Sequence, residues 1–106
     1  MKQTIKIEVE LDENHLPENI SMQTTDTKES NIKSLMISLW QAKKKETLKI
    51  DLWTKDMPVY EMFIMYHQTL TSMANSLERA TGEDKLAAKL KEYCSIFAKE
   101  TKILNN

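Results

Sequence analysis

Asp51-Leu-Trp-Thr-Lys-Asp-Met-Pro-Val-Tyr-Glu-Met62, continuing through His67 to Gly82, is the stretch against which the rest of the chain has to be placed. Within it Val59, Met62, Phe63, Tyr66, Leu70, Met73, Leu77 and Ala80 recur at steps of three and four, the spacing that lines one face of an α-helix. Asp56 is placed to cap the first free amides, Pro58 fits an opening turn, and Gly82 can take the left-handed conformation that ends a helix. A helix from Met57 to Thr81 would run on the order of 36 Å at 1.5 Å per residue, longer than a small domain is wide. It is expected to protrude or to meet a partner.

Outward from this helix, Leu48, Ile50 and Leu52 alternate with Lys49, Asp51 and Trp53, which predicts a strand immediately before it. Ile5, Ile7, Val9 and Leu11 alternate with Thr4, Lys6, Glu8 and Glu10 in the same way, and Ile20 and Met22 resume the pattern after the turn-rich Asp12-Glu-Asn-His-Leu-Pro17. A hairpin is expected there. The polar segment from Thr24 to Ser30 reads as a loop, with Thr27 or Ser30 available as a cap. Ile32, Leu35, Met36, Leu39 and Trp40 then trace a second helical stripe that ends in Lys43-Lys-Lys45, where positive charge suits a helix C-terminus. Leu86, Leu90, Tyr93, Phe97 and Ala98 predict a last helix antiparallel to the long one, and Asn105-Asn106 should fray.

The element order is then β-β-α-β-α-α. Each strand is dry on one face, so the expected fold is α+β, a three-stranded, largely antiparallel sheet in the order 2-1-3 with three helices mainly on one face. Lys6, Glu8, Glu10, Lys49, Asp51 and Trp53 fall on the other face. A chain of 106 residues with 41% apolar content is expected to form a single domain over 1–106.

Charge and composition exclude several classes. With 15 basic and 16 acidic residues the net charge is -1, so no bulk field attracts nucleic acid or an anionic membrane. No stretch could span a bilayer, the start resembles a strand rather than a secretory signal, and a lone Cys94 forms no internal disulfide; a reducing cytoplasm fits best. One glycine and one cysteine leave no phosphate-cradling loop and no zinc finger.

Isolated reactive side chains read as structural. His67 has only Thr71 and Ser72 within helical reach, short of an acid-base pair. His15 with Asp12, Glu13 and Glu18 has donor atoms for a metal but no ligand spacing, so a solvated turn is the default. Cys94 reads as a buried, inert thiol. No catalytic residue, cofactor site or metal site is expected. Met62 and Met73 belong to the predicted core stripe, whereas Met57 and Met65 lie off it and are expected nearer the surface. With Lys49, Asp51 and Trp53 they form the candidate protein interface.

The strings Val9-Glu-Leu-Asp-Glu-Asn-His-Leu-Pro17, Leu39-Trp40, Thr47-Leu-Lys-Ile-Asp-Leu-Trp-Thr-Lys-Asp-Met57, Gln68-Thr-Leu70 and Arg79-Ala-Thr81 closely resemble the gliding-motility protein GldC family. The resemblance covers most of the chain. It implies a small soluble protein that supports surface gliding as an accessory to the cell-envelope machinery, and it implies no catalytic residues. Residues and resemblance together lead to an expected non-enzymatic adaptor working through protein contacts as a homo-oligomer. The alternative is a small-molecule or lipid binder with a Met-lined pocket.

Overall fold

Asp12 builds the first turn of the chain: its Oδ1 accepts from the backbone amides of Asn14 at 2.8 Å and Leu16 at 3.0 Å. His15 takes the left-handed conformation there, with φ 63°. This closes the hairpin of β1 (Lys6–Leu11) and β2 (Pro17–Gln23), in which Ile7 faces Met22 and Val9 faces Ile20. The first two strands thus stand where their alternation puts them. The computed structural model of the chain describes residues 1–103 and falls into two units, a β unit, Met1–Met57, and a helical unit that begins at Pro58. The expected fraying of Asn105 and Asn106 lies outside the described residues.

The segment Thr24 to Gln41 departs from expectation. Thr24 and Thr27 close a tight turn, Oγ1 to Oγ1 at 2.8 Å with the Thr27 amide also on Thr24 Oγ1, and the chain returns as β3 (Lys28–Ile32) beside β2. After Lys33 alone it continues as β4 (Ser34–Gln41), which pairs antiparallel with β5 (Glu46–Trp53). The predicted middle helix is therefore two strands. Leu35, Met36, Leu39 and Trp40 satisfy a helical spacing, but Leu35, Ile37 and Leu39 also alternate, and β5 supplies matching partners: Leu35 faces Leu52, Ile37 faces Ile50, Leu39 faces Leu48. The lysine run caps no helix. It is the tip of the β4–β5 hairpin, with Lys45 in the left-handed region at φ 54° and the Lys43 amide donating to Gln41 Oε1.

The architecture is α+β with two antiparallel sheets, one three-stranded in the order β1-β2-β3 and one two-stranded, β4-β5, followed by two helices. This corrects the expected 2-1-3 sheet and its three helices. The chain uses β2 as the central strand because two short turns connect β1, β2 and β3 in succession. The strand at 46–53 is matched residue for residue by β4, so it has no call on β1. Ile20, 1% exposed, sits on that central strand, and Val9 and Ile32 lie opposite it on either side.

In the helical unit α1 (Val59–Thr81) and α2 (Asp84–Thr101) form an antiparallel hairpin. Twenty-three residues make α1 about 35 Å long. Gly82 ends it as expected, at φ 74° with its amide on the Glu78 carbonyl. Asp56 does not cap it; Pro58 is the N-cap residue, and the Asp56 carboxylate is held by Lys33 instead. Lys102 and Ile103 close α2 through amides on the Lys99 and Ala98 carbonyls.

The helix–helix seam only partly follows the predicted stripes. Of its buried residues Ala74, Ala87, Cys94 and Ala98, Ala98 lies on a predicted stripe and Cys94 is buried as expected, whereas Val59, Tyr66, Met73, Leu86 and Tyr93 of the predicted stripes are exposed. Small side chains allow two helices to approach most closely, and that closeness decides what is buried. Phe97 fills the open end of the seam, edge-on to Phe63 at 6.1 Å and stacked on His67 at 6.4 Å.

Candidate interaction surface

Pairing of β4 with β5 sorts their side chains onto two faces. Leu35, Ile37, Leu39, Leu48, Ile50 and Leu52 form an aliphatic ladder on one. Leu39, Leu48 and Ile50 are 56%, 47% and 52% exposed, so the ladder toward the hairpin tip is open surface. The reverse face carries Met36 opposite Asp51, Ser38 opposite Lys49, Trp40 opposite Thr47 and Ser34 opposite Trp53. Trp40 is 66% exposed.

Three of the five residues expected to form an interface, Lys49, Asp51 and Trp53, thus share one face of β5. Trp53 Nε1 donates to Asp51 Oδ2 at 3.0 Å, which fixes the indole edge against the carboxylate and leaves the ring half-buried. Met57 follows β5 with its amide on the Thr54 carbonyl and is half-buried, as is Met65 on α1 in the other unit. Met73, expected in the core, is exposed and lines an apolar groove on the helical hairpin with Leu77, Ala80 and Leu90. Met57, Met62 and Met65 do not line it.

A sequence reading centred on the polar face overlooks Leu39 and Trp40, because both were assigned to a helix. The matched alternation of two adjacent apolar runs was the available signal.

At the base of the hairpin a set of polar contacts ties β5 to the rest of the β unit. Thr54 is buried, and its backbone amide and Oγ1 both donate to the Lys33 carbonyl, at 2.8 and 2.9 Å. The Lys55 amide reaches the Pro17 carbonyl, and its Nζ lies 2.9 Å from Asp12 Oδ2 and 3.9 Å from Glu18 Oε1. The Lys55 hydrogen bond, helped by the Leu16 and Asn14 amides, holds the Asp12 carboxyl down at about 2. Asp12 in turn raises the Lys55 ammonium above its ordinary value. Lys33 Nζ, 2.9 Å from Asp56 Oδ2, lowers that carboxyl. Glu13, Asn14 and Glu18 surround the Asp12–Lys55 pair in a shallow polar depression.

His15 lies in the Asp12 turn with its amide on the Asp12 carbonyl, and among the described residues no three His, Cys, Asp or Glu side chains converge on a point that could hold a metal. His67 stacks on Phe97, and its carbonyl accepts from Thr71 Oγ1. Cys94 is a free, buried thiol on the helix seam. Among the described residues no helix is long and apolar enough to cross a membrane.

These features define a small α+β protein whose distinctive surface is an open aliphatic ladder backed by a tightly anchored strand. Residues 17–103 match the family model described as gliding motility-associated protein GldC-like, and the chain belongs to that family. The match spans both units. No curated protein and no solved structure gave a match.

Proposed function

We propose that this chain is a non-enzymatic accessory protein of gliding motility that acts in the cytoplasm through protein–protein contacts, as a homo-oligomer. The observation that carries the reading is the aliphatic ladder of β4–β5, open at Leu39, Leu48 and Ile50. Contiguous exposed apolar surface on a small protein marks a place where another protein docks. Membership of the GldC-like family supplies the process, and components of the gliding and cell-envelope machinery are the partners. A near-neutral charge of -1 gives no reason to invoke nucleic acid, and a free thiol suits a reducing compartment.

The test is to replace the gene in a gliding bacterium with a variant carrying Leu39→Lys and Leu48→Glu. Both positions are exposed and directly opposite each other, so opposite charges there leave the hairpin paired and the purified variant should keep its circular dichroism spectrum and melting temperature. Colony spreading should fall to the level of the deletion strain. Spreading indistinguishable from the parent, with the variant stably expressed, overturns the reading.

A further inference from the structure

We infer that the free edge of β5 pairs antiparallel with β5 of a second copy of this chain, about a two-fold axis that passes through Ile50. The inference deepens the proposed contact surface and rests on it, naming the partner and the register. Four observations lead there.

The first is the edge itself. Among the described residues β5 has one strand neighbour, β4, and from Glu46 to Asp51 every residue is exposed. Such an edge presents unpaired amides and carbonyls to any strand that matches it.

The second is which groups it presents. In an antiparallel ladder, alternate residues turn both backbone groups to the same neighbour. Thr54 donates its amide to the Lys33 carbonyl, one step beyond the Ser34–Trp53 pair, so the even-numbered residues of β5 face β4. Thr47, Lys49 and Asp51 therefore turn theirs to the free edge. Two copies related by a two-fold axis at Ile50 set Lys49 against the partner's Asp51 on each side of the axis. These are hydrogen-bonding positions.

The third is charge. This register makes the Lys49–Asp51 pairing twice, once on each side of the axis. Moving the axis one residue in either direction sets Lys49 against Lys49 or Asp51 against Asp51, and like charges directly opposite destabilise a sheet. The Trp53 indole occupies one lobe of Asp51 Oδ2 and leaves the carboxylate further acceptor sites for the incoming ammonium.

The fourth is the other face. The same axis sets Ile50 beside Ile50 and Leu48 beside the partner's Leu52, so two ladders of six merge into one continuous aliphatic face on a four-stranded sheet, β4-β5-β5-β4. The outer edge of β4 lacks this complementarity. It would offer Ser34, Met36, Ser38 and Trp40, none of them charged, and Leu35, Met36 and Ile37 are half-buried.

Cysteine trapping reads the register directly. At the axis the two Ile50 Cα atoms would be about 4.5 Å apart, as in any non-hydrogen-bonded antiparallel pair, within the range of about 4.4–6.8 Å that a disulfide bridges. Ile50→Cys should form a covalent dimer on mild oxidation. Lys49→Cys, Ile37→Cys and the parent chain, whose single Cys94 is buried, should not. In sedimentation of reduced protein, Lys49→Asp and Asp51→Lys should each weaken association about tenfold, since each sets two like-charge pairs in the interface. The double variant K49D/D51K should restore it.

A dimer that traps through Ile37→Cys and not Ile50→Cys, or one indifferent to Lys49→Asp, overturns the register while leaving an oligomeric contact surface in place. A strict monomer at every concentration overturns the pairing and the homo-oligomer together.

Discussion

Lys55 Nζ sits 2.9 Å from Asp12 Oδ2, joining two points 43 residues apart in the chain. Two of the strings that carry the family resemblance, 9–17 and 47–57, meet at this contact, and the Lys55 amide on the Pro17 carbonyl doubles it. The turn that follows β1 and the segment that follows β5 are therefore held as one piece.

The ion pair gives stability a defined dependence on acid. Asp12 titrates at about 2 in the folded chain against 3.8 ordinarily. Between those values the unfolded chain binds more protons, so stability rises with pH there. The contribution is complete above about pH 4 and is lost as the pH falls toward 2; Asp56, also lowered by Lys33, acts in the same sense. In Asp12→Asn the melting temperature should drop by several degrees near neutrality, and most of the difference from the parent should be gone by about pH 2, the remainder below it. Thermal melts followed by circular dichroism across that range check it.

Thr54→Val keeps the shape of a buried side chain and removes one donor to the Lys33 carbonyl, which retains the Thr54 amide. A loss of about 1 kcal/mol is expected, the usual net worth of such a bond. Urea unfolding monitored by tryptophan fluorescence, with Trp53 adjacent, should report it.

Gly82→Ala isolates backbone conformation. A methyl group there would meet no atom within 4 Å, yet φ is 74°. The cost should be about 1 kcal/mol, from the left-handed conformation alone, and Gly82→Asn should recover part of it.

Ala98→Leu tests the seam. Ala98 is fully buried where α2 approaches α1, and the added atoms have no space, so about 1–3 kcal/mol of destabilisation is expected. Tyr93→Leu, on exposed surface, should change unfolding by far less. Chemical denaturation followed at 222 nm separates the two.

Much of the architecture was legible before any coordinates. Alternation placed β1, β2 and β5, and spacing of three and four with Gly82 at the end placed the long helix and its antiparallel companion. The error lay between Thr24 and Gln41, for a physical reason. β3, Lys-Glu-Ser-Asn-Ile, has one apolar residue and no periodic signature, so only its position beside β2 makes it a strand. β4 fits both periods, and its match to β5 decides between them. The candidate site was half visible: the Lys49, Asp51 and Trp53 face followed from alternation, while the open ladder was obscured by the helix assigned to its other strand. On the helices, counting bulky residues missed Ala74 and Ala87, while Ala98 and the buried Cys94 were legible.

Lys33 is the single residue of the chain between β3 and β4. Its carbonyl takes two donors from Thr54 and its side chain holds Asp56, so the corner is braced through both its backbone and its side chain. A tug delivered at the hairpin tip would travel down β4 and β5 into the three-stranded sheet instead of being spent in a yielding hinge.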